Sequence, residues 1–128
     1  MVLYSADMNR VNLTDTFATF DDVWVPKIAA ELNGQHVKVV KFEGEYVWHH
    51  HDHEDEMFLV VEGRVDICLR DRVVELGAGE LLVVPRGVEH KPVAHGVAQV
   101  LLFEPATTRN TGNLDHDYTI EADRLKRI

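Results

Sequence analysis

The sequence predicts an all-β fold in which short antiparallel strands form a sandwich or a barrel. Between Gln35 and Glu104, runs rich in Val, Ile, Leu and Phe recur with a period of two, which is the period of a β-strand. Glycine, proline and aspartate interrupt these runs at short intervals, as turns do. At 128 residues the chain is long enough for one domain with its own core.

The predicted strands follow one another closely along the middle of the chain. Several are apolar on both faces: Phe58 and Val60 alternate with Met57, Leu59 and Val61. An apolar outer face needs a cover, so we expect the N-terminal segment or the second subunit of a homodimer to lie on it. The predicted strands are Val37–Phe42, Tyr46–His51, Glu56–Glu62, Arg64–Arg70, Val73–Leu76, Leu81–Val84, Val88–His90 and Val97–Phe103.

The chain divides into three parts that belong to a single domain. Residues 1–34 are mixed and polar, and we expect them to form an extension packed on the outside of the β-structure. Residues 35–105 hold the strand pattern and form the barrel itself. Residues 106–128 are mostly polar and form a C-terminal tail.

Short helices are predicted at both ends. Pro26 is well placed in the first turn of a helix, and Lys27–Leu32 contains alanine and leucine, which favour helix. Asn33 and Gly34 tolerate positive φ and would end that helix. Near the C-terminus, Glu121–Ile128 is compatible with a second short helix.

The composition excludes several classes of partner. With 13 basic and 22 acidic residues the formal charge is −9, which disfavours nucleic acid and anionic membranes, and we expect neither as a partner. No apolar run is long enough to span a membrane, and the first residues lack a signal-peptide pattern. A single cysteine, Cys68, cannot form an internal disulfide, so we expect the protein to be cytoplasmic. Cys68 lies in a predicted strand, where we expect it to be a small packing residue.

One stretch gathers the groups that bind metals. Trp48–Glu56 holds four of the eight histidines and four acids, and no Lys or Arg occurs from residue 42 to residue 63. On a strand, His49 and His51 share one face, and Glu56 at the start of the next strand would complete a set of three ligands. The alternatives are a solvated loop, or a rival pair formed by His51 and His53.

A fourth ligand has to come from another strand, and His90 is the candidate. Pro85-Arg86-Gly87 predicts a turn, after which Val88 and His90 share a face. Three imidazoles and a carboxylate suit a divalent cation such as Fe(II), Mn(II), Ni(II) or Zn(II), and leave positions open for water, dioxygen or a chelating substrate.

The first cluster resembles the first sequence motif of the cupins. That motif is His-x-His, then Glu after three or four residues, then Gly after six more. Here it is His49-x-His51, four residues, Glu56, six residues and Gly63. The match departs from the family at its start, since four residues rather than five separate Gly44 from His49.

The second cupin motif is matched as well. In the family it is Gly, five residues, Pro-x-Gly, two residues and His; here it is Gly79, five residues, Pro85-x-Gly87, two residues and His90. The Asn that normally closes the motif is Ala94 in this chain. The resemblance implies a small jelly-roll barrel, also called a double-stranded β-helix, in which His49, His51, Glu56 and His90 hold a metal.

The expected pocket is apolar and suits a small organic molecule. Strand parity predicts that its walls are apolar and that Gln99 supplies one polar contact, while Tyr46 and Trp48 pack on the opposite side. Two functions remain open: a metal-dependent enzyme of the oxygenase or isomerase/lyase type, and a metal-containing binding or sensor module without turnover. The predicted pocket residues are Val47, Phe58, Val60, Val83, Gln99 and Leu101, with Phe103 as a further candidate.

Overall fold

The computed structural model describes residues 8–128 and contains seven strands and one short α-helix. The helix, α1, is capped by the side chain of Asn12, which accepts a hydrogen bond from the N–H of Asp15. A single turn of 3₁₀ helix, Ala122–Arg124, lies in the C-terminal tail. The elements are α1 (Leu13–Phe17), β1 (Lys27–Leu32), β2 (Gln35–Glu45), β3 (Glu56–Glu62), β4 (Val65–Leu69), β5 (Val73–Leu76), β6 (Leu81–Val84) and β7 (His90–Pro105).

Strand β7 organises the jelly roll because it pairs along its length with three other strands. Its first residues, 90–94, pair with β4, and residues 99–103 pair with β3. Strand β2 runs beside both halves of β7, with a register shift between Phe42 and Gly44. All these pairings are antiparallel. The strand order is β1-β2-β7-β3-β6, and β5 pairs with β4.

The core lies between the inward faces of these strands. In β3 the residues Glu56, Phe58 and Val60 are buried while their neighbours are only partly buried. In β7 the alternate residues from Ala98 to Glu104 are buried. Each fully buried apolar side chain stabilises the fold by about 1.5–3 kcal/mol, so this alternation determines which face of each strand meets the interior.

The helix predicted at residues 26–32 is wrong, because these residues form strand β1. Lys27–Leu32 pairs with β2, and Leu32 lies opposite Gln35. Asn33 and Gly34 have φ values of 51° and 76°, as the two central residues of a type I′ hairpin turn require. Asn-Gly therefore joins two strands here and does not end a helix.

The C-terminal helix and the strand Tyr46–His51 also differ from the prediction. Within Glu121–Ile128 only the 3₁₀ turn is helical, and Arg127 forms a parallel bridge with Ile28. Between β2 and β3, His49 alone makes a β-bridge, opposite His90. The segment that carries His49 and His51 is thus a loop that bonds to β7 at Tyr46, whose N–H donates to the carbonyl of Pro92, and at His49.

The residues before β1 pack against strand β2 of the sheet. Phe17 of α1 is fully buried, and the N–H of Trp24 donates to the carbonyl of Lys41 in β2. Farther along this sheet, Leu81 and Val83 of β6 are 55% and 50% exposed. No helix among residues 8–128 is long and apolar enough to cross a membrane.

Candidate metal centre

Four predicted residues meet inside the barrel. His49 and His90 lie opposite each other in the β-bridge, with reciprocal backbone hydrogen bonds of 3.1 and 2.9 Å. His51 lies two residues beyond His49, and Glu56 is the first residue of β3. None of the four is more than 4% exposed. One potential donor atom from each lies within 4.8 Å of the others.

The spacing of the donor atoms fits a shared divalent cation. Oε1 of Glu56 lies 3.3 Å from Nε2 of His51 and 3.2 Å from Nε2 of His90. An ion bound at about 2.0–2.2 Å from each donor spaces neighbouring donors about 3.0–3.6 Å apart. The carboxylate is therefore close enough to both imidazoles to bind the same ion.

The orientations of the imidazoles also suit a metal. Nδ1 of His49 donates to the carbonyl of Val47 at 2.9 Å, and Nδ1 of His90 donates to that of Val88 at 2.9 Å. These bonds leave each Nε2 with a lone pair directed at the group. Among the described residues, neither ring nitrogen of buried His51 has a hydrogen-bond partner. A bound cation would satisfy one of them.

Electrostatics favour the deprotonated forms that coordinate a metal. Burial, reinforced by the neighbouring His90, lowers the pKa of His49 to about 4. For Glu56, burial by itself raises the pKa, but the neighbouring imidazoles of His51 and His90 outweigh it and hold the pKa well below its usual range. A neutral imidazole and an ionised carboxylate are thus the natural states of these two groups near neutral pH.

A buried ion pair that we did not predict lies beside the site. Nζ of Lys38 is 3.1 Å from Oε1 of Glu104, and both side chains are 1% exposed. Burial, together with the negative charge of Glu56, raises the pKa of Glu104 well above its usual value. The sequence did contain a signal, because Lys38 is two residues from Val40 and four from Phe42 and therefore lies with them on the inward face of β2.

A cavity with mostly apolar walls opens beside His49 and Glu56. Its walls enclose about 330 Å³, part of it open to solvent, but the centre of a water molecule can move through only about 20 Å³. That is room for roughly one water molecule. The residues that line it are Trp24, Pro26, Val40, Phe42, Tyr46, His49, Glu56, Phe58, Pro92, Leu102 and Asn110.

Stacked aromatic rings close one side of this cavity. The ring of Trp24 stacks on Phe42 at 4.4 Å and on Tyr46 at 4.5 Å between centroids. Tyr118 of the tail stacks on Tyr46 at 5.5 Å and is 39% exposed. Tyr46 therefore faces the cavity, which corrects the expectation that it packs on the opposite side.

Only Phe58 of the predicted pocket residues lines this cavity. Val60 lies in the hydrophobic core, and Val83 is half exposed because Val84 takes the inward position in β6. In β7 the inward residues are even-numbered from 98 to 104. The prediction of pocket residues is also corrected for four partly buried residues that do not line the cavity: Val47, Gln99, Leu101 and Phe103. His53, the rival ligand, is exposed.

A small jelly roll with three histidines and one glutamate gathered inside it defines a class of β-barrel proteins suited to a metal. The sequence model of the Cupin domain family matches residues 36–104, more than half of the chain. The chain belongs to this family, as its two motifs predicted. The matched region contains all four residues of the candidate metal centre.

Several known proteins are similar to this chain in sequence or in structure. A cupin-2 domain containing protein from Shewanella frigidimarina is 45% identical with a TM-score of 0.73, over 74% of this chain and 93% of that one. Protein NMB1881 from Neisseria meningitidis is 30% identical with a TM-score of 0.69, over 76% and 99%. The uncharacterized protein YdbB from Bacillus subtilis is 40% identical over 63 residues, which are 48% of this chain and 56% of YdbB. The chain thus matches little more than half the length of this curated relative.

Proposed function

We propose that this cupin is a metal-dependent enzyme of the oxygenase or isomerase/lyase type that acts on a small, uncharged organic molecule. The observation that carries the proposal is the convergence of four buried donor groups at the wall of an apolar cavity. A bound ion at such a cavity can contact a molecule that is no longer surrounded by water. The electrostatic interaction between the ion and the molecule is stronger there than in water.

The chain's own residues prepare the site for Fe(II), Mn(II), Ni(II) or Zn(II). His49, His51 and His90 offer imidazole nitrogens and Glu56 offers a carboxylate, the mixed set that these ions accept. The carbonyls of Val47 and Val88 fix two of the rings through Nδ1. When bound, the ion would supply Lewis acidity or redox chemistry.

The cavity walls support the proposed substrate class. Among the described residues that line the cavity, none is Lys or Arg, so phosphate and other strongly anionic groups find no cationic side chain there. Arg86, a sequence neighbour of the site, instead pairs with Asp55 at the surface. Because rings form one wall and little free space remains, we expect a small, flat molecule whose entry displaces the side chain of Trp24 or Tyr118.

One observation favours the alternative, a metal-containing binding or sensor module without turnover. Apart from His49 and Glu56, the polar side chains that line the cavity in the described part of the chain are Tyr46 and Asn110. Burial raises the pKa of Tyr46, which keeps its phenol neutral. The cavity therefore lacks a second acid–base pair, and catalysis would depend on the metal and its ligands.

Elemental analysis of untagged protein tests the metal centre. We expect about one divalent ion per chain in the parent and less than about one tenth of that in His49→Ala and His90→Ala. His95→Ala is the matched control, since His95 is an exposed histidine that bonds to Asp66. Unchanged metal content in the two site variants would refute the ligand assignment, provided that both variants fold by circular dichroism.

A second experiment separates turnover from binding. The Fe(II)-loaded protein is mixed with uncharged phenols and enols, while dioxygen uptake and product formation are followed. Isomerised or cleaved products are measured with the Mn(II), Ni(II) and Zn(II) forms. Product formed by the parent and lost in His49→Ala supports an enzyme. Quenching of the tryptophan fluorescence by a compound that is returned unchanged supports the binding module.

A further inference from the structure

We propose that Gly112 and Asn113, in the C-terminal tail, are positioning residues for the metal centre: they hold the backbone between His49 and His51. This inference rests on the proposed function, since it concerns the same site. Both residues lie outside the region matched by the family, which ends at residue 104. The tail would thereby add to the metal centre a support that the two cupin motifs do not contain.

Asn113 binds both backbone groups of His50, the residue between the two ligands. The N–H of Asn113 donates to the carbonyl of His50 at 3.0 Å, and the N–H of His50 donates to Oδ1 of Asn113 at 2.9 Å. The loop around His50 has no regular strand pairing, apart from the bridge between His49 and His90. The reciprocal pair of bonds therefore restrains His50, whose own backbone groups pair with no strand in the described part of the chain.

Gly112 packs against the first ligand so closely that no side chain fits. A Cβ atom built on Gly112 would overlap the carbonyl oxygen of His50 and would lie 3.2 Å from Cδ2 of the His49 ring. The backbone of Gly112 has a φ of +55°, which also favours glycine. The tail backbone thus forms part of the surface on which the His49 imidazole rests.

Hydrogen bonds within the tail hold the residues that contact the ligand loop. The N–H of Gly112 donates to the carbonyl of Arg109 at 2.9 Å, and the guanidinium of Arg109 binds Glu121 at 3.1 Å as well as Asp115. Thr111 is fully buried and its hydroxyl lies 2.6 Å from that of Thr119. These bonds fix the corner at residues 109–113 within the tail, so that it can restrain the loop.

Cobalt binding tests this role, because the absorption spectrum of Co²⁺ reports the geometry of its ligands. The variants are Gly112→Ala, Asn113→Ala and Asn113→Asp. Gly96→Ala is the matched control: Gly96 also has a positive φ, of 74°, but a Cβ there meets nothing within 4 Å. The measurements are the Co²⁺ dissociation constant, the Co²⁺ spectrum and the melting temperature of the metal-free protein.

We expect Gly112→Ala and Asn113→Ala to weaken Co²⁺ binding by about 10- to 100-fold, as loss of groups that orient ligands does, and to change the spectrum. Asn113→Asp keeps the acceptor for the His50 N–H and should bind within about threefold of the parent. Gly96→Ala should lower the melting temperature but leave affinity and spectrum unchanged.

The outcomes distinguish this inference from the proposed function. A parent protein that binds no Co²⁺ refutes both. If the parent binds Co²⁺ and both Gly112→Ala and Asn113→Ala bind it with the parent's affinity and spectrum, the metal centre stands and the positioning role is refuted. If Gly112→Ala fails to fold, the comparison of Asn113→Ala with Asn113→Asp decides alone.

Discussion

Replacing Lys38 by methionine should lower the free energy of unfolding more than removing any exposed charge of this protein does. Lys38 and Glu104 form an ion pair at 3.1 Å, and each of the two side chains is 1% exposed. Removing one partner of a buried pair costs about 3–5 kcal/mol, because the other charge stays out of water. Glu104 can relieve part of that cost by taking up a proton, since burial and Glu56 already raise its pKa.

The same reasoning gives a pH dependence with a definite sign. A group whose pKa is raised in the folded state stabilises the fold when it is protonated. This contribution is lost as the pH rises through the pKa of the folded state. In Lys38→Met the pKa of Glu104 should rise further, because the neighbouring positive charge is gone. The destabilisation should therefore be smallest near pH 5 and grow toward pH 8.

Urea unfolding of the metal-free protein, followed by circular dichroism at pH 5 and pH 8, measures these effects. Lys38→Met/Glu104→Leu removes both charges and should recover to within about 1 kcal/mol of the parent. Arg64→Met is the control, since Arg64 and Glu75 form an exposed pair at 3.8 Å that contributes at most about 1 kcal/mol. A loss in Lys38→Met no larger than in Arg64→Met would refute the reasoning.

Three further predictions concern other parts of the molecule. Gly63→Ala should lose more than about 1 kcal/mol in urea unfolding, because φ is +93° and a Cβ would lie 3.0 Å from Cα of Ala98; an unchanged midpoint would contradict this. Burial and the neighbouring charge of Lys38 lower the pKa of His36, so stability should fall as pH drops below about 6.5. In His36→Gln, thermal melts at pH 7.5 and 5.5 should differ less than in the parent. If the proposed homodimer covers exposed Leu81, sedimentation should show a dimer that Leu81→Lys converts to monomers; a monomeric parent would refute the dimer.

The grouping of the four site residues could be predicted because three of them are close in sequence and a second motif points to the fourth. His49 and His51 are two residues apart, and one turn separates them from Glu56 at the start of β3. His90 follows a Pro-x-Gly turn, whose position the second motif defines. The structure brings these side chains together, and their role as metal ligands stays a prediction.

The inward face of β7 was predicted wrongly because both of its faces are apolar. Val100 and Leu102 are buried, while Leu101 and Phe103 on the other face are partly buried. With apolar residues on both sides, the alternation indicates a strand but not its orientation. Although residues 95–97 are exposed, the buried residues keep the parity of His90 as far as Glu104. Counting in twos from His90 therefore gives the inward face, a signal that the prediction of separate strands at Val88–His90 and Val97–Phe103 did not use.

The cavity walls and the support of the ligand loop could not be predicted because they depend on contacts distant in sequence. Trp24 reaches the cavity from the N-terminal segment, and Asn110 reaches it from the tail. Neither lies in a motif. Asn33-Gly34 is different: the hairpin signal was present, and it was misinterpreted as the end of a helix.

The placement of Trp24, Pro26 and Asn110 in the cavity wall has a consequence for comparing cupins. All three lie outside the segment matched by the family, 36–104. Two proteins can therefore share the same four donor residues and still admit different molecules, because segments outside the matched region form part of the cavity wall. Swapping the segment that carries Trp24 and Pro26 between relatives should exchange selectivity while Gly112 and Asn113 keep the ligand loop in place.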